Sequence, residues 1–224
     1  MSKKKRVRKT TKIIRLLVEG DTEENYIKGV KTFYPGIEFN IVPVNMRGGG
    51  YQTYIDEIRK MSLIGCLGVF IIIDIDRAKE SQHELKKLKE LFELCRSKSS
   101  KEVPILIIGN NSDIEYFACC HCPSYTGGNT DNYIRNVFGK DVNKFKSDSK
   151  IYEFLNKGGR DWKNAITYNS RKYTTNQTVF KNIYKVMKKG LSIDINLKDS
   201  NLNLNNLNIP GTNFCEFFDI IGLL

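Results

Sequence analysis

Three short, almost unbroken apolar runs constrain this chain most: Ile13–Val18 (IIRLLV), Gly68–Ile73 (GVFIII) and Pro104–Ile108 (PILII). Each is too short for a core helix and too continuous for a strand with one wet face. Such runs read as parallel strands buried on both sides. The segments between them carry helical signals. Asp21-Thr22-Glu23-Glu24 opens a helix in which Asp21 serves as N-cap and Glu24 as its capping-box partner. Tyr26, Val30 and Phe33 share one face, and Pro35-Gly36 ends it. Glu38–Val44 reads as a further strand, Arg47-Gly48-Gly49-Gly50 as a loop and Tyr51–Met61 as a second helix. Ser81–Arg96 is amphipathic, with Leu85, Leu88 and Leu91 beside Phe92 and Cys95. Ser112 and Glu115 have capping-box spacing at the start of another helix.

This alternation predicts an α/β fold over residues 12–125, a mostly parallel four-stranded sheet flanked by helices and joined by right-handed crossovers. Residues 126–224 read as a mainly helical C-terminal extension. Segments 130–138, 150–156 and 176–189 are its helices, with Tyr133, Phe138, Tyr152, Phe154, Phe180 and Tyr184 as core aromatics. The Leu/Asn-rich stretch 196–208 reads as an irregular strand or a connection.

No apolar run approaches the ~20 residues needed to span a bilayer, which excludes an integral membrane protein. Basic residues open the chain without an apolar stretch of export type after them, so the expected compartment is the cytoplasm. The six cysteines (66, 95, 119, 120, 122 and 215) are then reduced thiols. Charge is unevenly spread. Lys3, Lys4, Lys5, Arg6, Arg8, Lys9, Lys12 and Arg15 are unopposed by any anion in residues 1–15, and they leave only +3 of the net +11 for the rest of the chain. Residues 1–11 therefore read as a basic arm, either a tether for nucleic-acid phosphates or a solubilising tail.

In an open α/β sheet the ligand crevice lies beyond the carboxyl ends of the strands. The first strand ends in Glu19, with Glu23 one helical turn on, and the third ends in Asp74 and Asp76. Carboxylates crowded on one rim need raised pKa values or a bound cation. An all-oxygen donor set favours Mg²⁺ or Mn²⁺ over zinc. Each acid also has a plainer use: Glu23 at its helix N-terminus, Glu115 as a cap partner, Asp-x-Asp as loop chemistry. Arg77, beside the pair, is either a phosphate contact or a surface arginine, and the glycine loop either a backbone cradle for phosphate or a simple connection. Cys119-Cys120-His121-Cys122 lacks the paired spacing of a zinc site, and the two histidines (83 and 121) form no evident nucleophilic set.

The run Leu16-Leu17-Val18-Glu19-Gly20-Asp21-Thr22-Glu23-Glu24-Asn25-Tyr26 resembles the EG-x-T-E-x-x-Y signature of RloB-like proteins of the toprim superfamily, near the nucleases named for overcoming lysogenization defect (the OLD family). Val69–Arg77 is similar to the toprim Asp-x-Asp strand. Asn110–Phe117 followed by His121 resembles the RloB segment S-N-P-x-F-E, from which it departs at Asp113 and Ile114. The likeness covers residues 12–125. It implies a toprim-like (Rossmann-like) fold and Glu19, Asp74 and Asp76 as the catalytic acids. It also implies Glu23 and Glu115 as further metal ligands, and a lysine near the metals for which Lys163, Lys172 and Lys181 are the candidates. Two Mg²⁺ or Mn²⁺ ions about 4 Å apart would then bracket a scissile phosphate. The resemblance further implies a nuclease acting on RNA, such as tRNA, or on DNA as the effector of a prokaryotic phage-defence system. An inhibitory or activating partner such as an ATPase, or an oligomer, would accompany it. Lys3, Lys4, Lys5, Arg6, Arg8, Lys9 and Arg77 would supply the nucleic-acid contacts. Two rivals are a primase-like phosphotransfer domain and a non-catalytic binding module.

Overall fold

The structure, a computed structural model, describes residues 13–37, 40–100, 102–111, 113–174, 184–189, 192–197 and 207–223. The basic arm, with Lys3, Lys4, Lys5, Arg6, Arg8 and Lys9, lies outside the described residues, as do Ser112, Phe180 and Lys181.

The apolar runs become β1 (Ile13–Val18), β3 (Cys66–Asp74) and β4 (Ile105–Asn111), and Asn40–Asn45 forms β2. Helices α1 (Asp21–Phe33), α2 (Gly50–Lys60), the short α3 (Arg77–Glu80) and α4 (Gln82–Lys98) fill the connections. The sheet has five strands rather than four, in the order β2-β1-β3-β4-β7. The first four run parallel; β7 (Gly211–Thr212) joins β4 antiparallel. A two-residue strand is too short for any periodic signal, which is why it escapes a reading of the sequence.

Because side chains alternate across a strand, the sheet sorts its residues onto two faces. Ile14, Leu16, Val18, Phe70, Ile72, Leu106 and Ile108 pack on one side against α1 and the helices that follow β4. Leu17, Val69, Ile71, Ile73, Ile105 and Ile107 pack on the other against α2 and α4. The chain after β4 continues through α5 (Ile114–Cys119), α6 (Thr130–Asn136), α7 (Val142–Lys146), α8 (Ile151–Leu155), α9 (Trp162–Thr174) and α10 (Cys215–Ile220). Phe217 and Phe218 of α10, Trp162 of α9 and Leu155 of α8 belong to the same buried cluster as β1 and β3. The Trp162 and Phe218 rings stack at 4.5 Å.

Several expectations are corrected. Tyr184–Lys189 is not helical: it forms β5, paired antiparallel with β6 (Ser192–Leu197). The remainder of 176–189 lies outside the described residues. The N-cap of α1 is Gly20, not Asp21, and Glu23 rather than Glu24 reaches back, accepting the Gly20 N–H at 3.1 Å. A glycine cap leaves the first turn to that carboxylate; Glu24 pairs instead with Lys28 and Asn45. Phe33 turns outward while Ile27 fills the core place on α1. Asp113 caps α5 through the Tyr116 N–H, which leaves Glu115 to point elsewhere.

Candidate functional site

In this strand order β1 lies between β2 and β3, so the connections from β1 and β3 leave in opposite senses and open a crevice at their carboxyl ends. Register then dictates the contact. Val18 pairs with Ile72, so the next residue, Glu19, reaches the end of β3, where its Oε2 accepts the Asp74 N–H at 3.2 Å. Asp74 has the parity of Phe70 and Ile72 and faces the α1 side of the sheet. There it meets Glu23 from α1 and Glu115 from α5. Glu19, Glu23, Asp74 and Glu115 line one cleft of about 370 Å³, shared with Gly20, Thr22, Asn143 and Lys146.

Three supports hold this rim. Tyr51 donates its hydroxyl to the Asp74 carbonyl at 3.1 Å and Tyr54 to the Ile72 carbonyl at 3.3 Å, anchoring the end of β3 to α2. The loop before α2 braces Glu19, whose carbonyl accepts the Gly48 N–H at 2.9 Å. That loop is left-handed through Arg47 and Gly48–Gly50. A Cβ on Gly49 would lie 2.3 Å from the Thr53 hydroxyl, so the position requires glycine. Opposite, the Thr22 hydroxyl bonds the Lys146 carbonyl at 3.1 Å and draws α7 to the cleft.

The acids are costly here. Glu23 and Glu115 are each 2% exposed. Burial, then repulsion from Glu115 and Glu19, pushes the Glu23 carboxyl up to about 8. Burial and Asp113 push Glu115 up to about 7, although Lys146 works against them. Asp74 is driven well above the usual carboxylate range by burial and by Glu23, Glu19 and Glu115. Glu19 is raised less, because the Asp74 N–H and Arg77, 3.7 Å away, oppose its burial. Asp76 does not line the cleft. It caps α3 by accepting the Arg77 N–H at 2.7 Å, and its charge raises both Glu19 and Asp113.

The lysine at the cleft is Lys146, whose Nζ lies 3.3 Å from Glu115 Oε2. Of the three sequence candidates, Lys163 sits over the Trp162 ring instead, Lys172 belongs to α9, and Lys181 lies outside the described residues. Lys146 falls in a short helix with no motif around it, so only the fold reveals it. Glu115 Oε1 is buried without a hydrogen-bond partner. An orphaned carboxylate oxygen of this kind carries a desolvation cost that a ligand in the cleft would offset.

Cys119-Cys120-His121-Cys122 is core rather than chemistry. His121 Nδ1 donates to the Phe117 carbonyl at 2.9 Å, and its Nε2 accepts the Tyr26 hydroxyl at 2.8 Å. Burial lowers its pKa to about 4, so it stays neutral. Cys119 and Cys120 are buried and Cys122 is partly so.

Among the described residues, no three or more His, Cys, Asp or Glu side chains are grouped so that they could hold a metal ion as they stand. The carboxylates instead turn toward protein donors: Asp74 N–H, Gly20 N–H, Arg77 N–H and Lys146. Among the described residues, no helix is long and apolar enough to cross a membrane. No family model, curated protein or solved structure matches this chain, so the site is judged on its own geometry.

Proposed function

We propose that this protein is a toprim-type, Mg²⁺- or Mn²⁺-dependent nuclease that hydrolyses phosphodiester bonds in RNA or DNA. One observation carries the reading. Four carboxylates from β1, α1, β3 and α5 converge at the switch point of a parallel sheet, with their proton affinities raised together and one buried oxygen of Glu115 unpaired. Structural ion pairs neutralise charge with nearby cations; here four clustered carboxyls have their ionised forms disfavoured by burial and by one another, a cost that a hard divalent cation would offset.

The donor set fits such an ion, being oxygen throughout, and Glu19, Asp74, Glu23 and Glu115 would hold it, with Asp76 beside Glu19. When bound, the metal would supply a water of lowered pKa and charge stabilisation for the departing oxygen. The chain's own groups do the rest. Arg77, within 3.7 Å of Glu19, and Lys146, which lines the cleft beside Glu115, are the cations that would meet a phosphate diester there. Tyr51 and Tyr54 hold the carboxyl end of β3 in register. The basic arm would tether the polyanion. A role in phage defence with an ATPase-like partner follows from the resemblance noted above and belongs to the same proposal.

Incubating labelled RNA and DNA with Mg²⁺, with Mn²⁺ and with EDTA tests this. Cleavage that requires metal and is abolished by Asp74→Ala or Glu19→Ala in a folded protein supports the nuclease. Binding that survives EDTA without cleavage of any substrate would make the chain a non-catalytic module instead.

A further inference from the structure

Residues 210–213 (PGTN) carry no recognisable motif, yet Thr212 is 1% and Asn213 0% exposed. Their polar atoms dock onto β4. Asn213 accepts the Gly109 N–H at 2.8 Å through Oδ1 and donates to the Ile107 carbonyl at 3.1 Å through Nδ2, completing pairing that the two-residue β7 cannot supply by itself. Thr212 then addresses the neighbouring residue. Its Oγ1 accepts the Phe214 N–H at 3.0 Å, and its single proton goes to Asn110 Oδ1 at 2.8 Å.

The consequence reaches the acid cluster. With Oδ1 of Asn110 committed to Thr212, the NH₂ end of the amide is turned the other way, toward Asp74 Oδ1 at 3.3 Å. The register makes this a straight line: Asp74 is paired with Asn110, and Asn110 with Thr212, in one row across β3, β4 and β7. Asn110 is itself fully buried. The row joins residues far apart in the chain and runs from the C-terminal segment to the carboxylate at the centre of the cleft.

We propose that Thr212 and Asn110 are positioning residues for the cation site, and that β7 is therefore part of that site. The inference rests on the reading of the cleft as a divalent-cation site. The Thr212 hydroxyl accepts the Phe214 N–H and gives its own proton to Asn110, a bond that favours the amide orientation with Oδ1 toward Thr212 and Nδ2 toward Asp74. Without it the amide loses that preference, and a flipped amide sets Oδ1 against the Asp74 carboxylate. The carboxylate then swings away from the ligands contributed by β1 and α1. Outer partners of metal ligands change affinity by about 10- to 100-fold when removed.

Mn²⁺ binding by calorimetry on the full chain tests this. Thr212→Val preserves shape and deletes the hydroxyl; Thr212→Ser keeps the hydroxyl. The expected result is an Mn²⁺ dissociation constant raised about tenfold or more in Thr212→Val and one near wild type in Thr212→Ser. In an Asn110→Ala background, which removes the link between Thr212 and Asp74, Thr212→Val should change affinity no further, while its effect on melting temperature persists. That separates positioning from a general loss of stability. Equal Mn²⁺ affinity in folded Thr212→Val and wild type would overturn the proposal and leave the metal reading standing. Wild-type protein that takes up no Mn²⁺ would overturn both, and would do so before any variant is measured.

Discussion

Raising the pH of the metal-free protein should destabilise it progressively, and the acid cluster sets the sign and size. Glu115 titrates near 7 in the folded chain against an ordinary value of 4.5. Between those values the native state holds a proton that the unfolded chain has lost, so stability falls as pH rises. The stabilising contribution is whole below the ordinary carboxylate value and gone once the folded value is passed. Integrated from about pH 5 to about pH 8.5, Glu115 alone accounts for about 2.5 kcal/mol, an appreciable share of the 5–15 kcal/mol typical of a folded domain. Glu23, held near 8, adds in the same direction, though coupling between the two makes the sum less than additive. Urea denaturation in EDTA across this range measures the slope. Glu115→Gln should remove about 2.5 kcal/mol of the decline. Mg²⁺ at about 100 times its dissociation constant should restore about 2.7 kcal/mol at the alkaline end. Metal-free stability that stays flat or rises with pH, or a slope unchanged in Glu115→Gln, would refute the electrostatic argument.

Other outcomes follow from single contacts. Gly29→Ala places a Cβ 2.1 Å from the Tyr152 Cβ, so chemical denaturation should show a loss of about 2 kcal/mol or more from overpacking between α1 and α8, despite alanine's better helix propensity. Tyr26→Phe leaves the buried Nε2 of His121 without its donor, and the melting curve should report a cost of about 1–3 kcal/mol. Deleting residues 2–9 should weaken nucleic-acid binding and flatten its dependence on salt, since each lost phosphate contact removes a released counterion. An unchanged salt slope would reduce the arm to a solubility tail.

What the sequence disclosed, and what it hid, follows from the range of the interactions involved. Ile71, Ile72 and Ile73 are buried on both faces of a parallel sheet, and continuous apolarity announces that directly. Glu19 and Asp74 are legible as acids at the carboxyl ends of strands of one sheet, and the strand order that makes those two ends neighbours comes from the fold. The α1 cap lies one residue before the one the sequence suggests because Gly20-Asp21-Thr22-Glu23-Glu24 offers two overlapping frames, and only the fold chooses the one starting at Gly20. Segment 176–189 reads as helical through the placing of its aromatics Phe180 and Tyr184, whereas the alternation in the partner strand SIDINL is the signal that identifies the hairpin. Lys146 reaches the cleft, and Asn110 and Thr212 connect to Asp74 behind it, only through tertiary contacts: a hydroxyl from α1 drawing in α7, and a two-residue strand docking on β4. No local pattern records such contacts.

An anomalous-diffraction structure of crystals soaked in Mn²⁺ bears on the proposed chemistry without any intermediary. A peak with carboxylate oxygens of Glu19 and Asp74 about 2.1–2.2 Å away, and with Glu115 turned from Lys146 toward the ion, is the expected result. Saturating Mn²⁺ that leaves the cleft without density, and Glu115 still paired with Lys146, would mean that these acids do not bind a divalent cation.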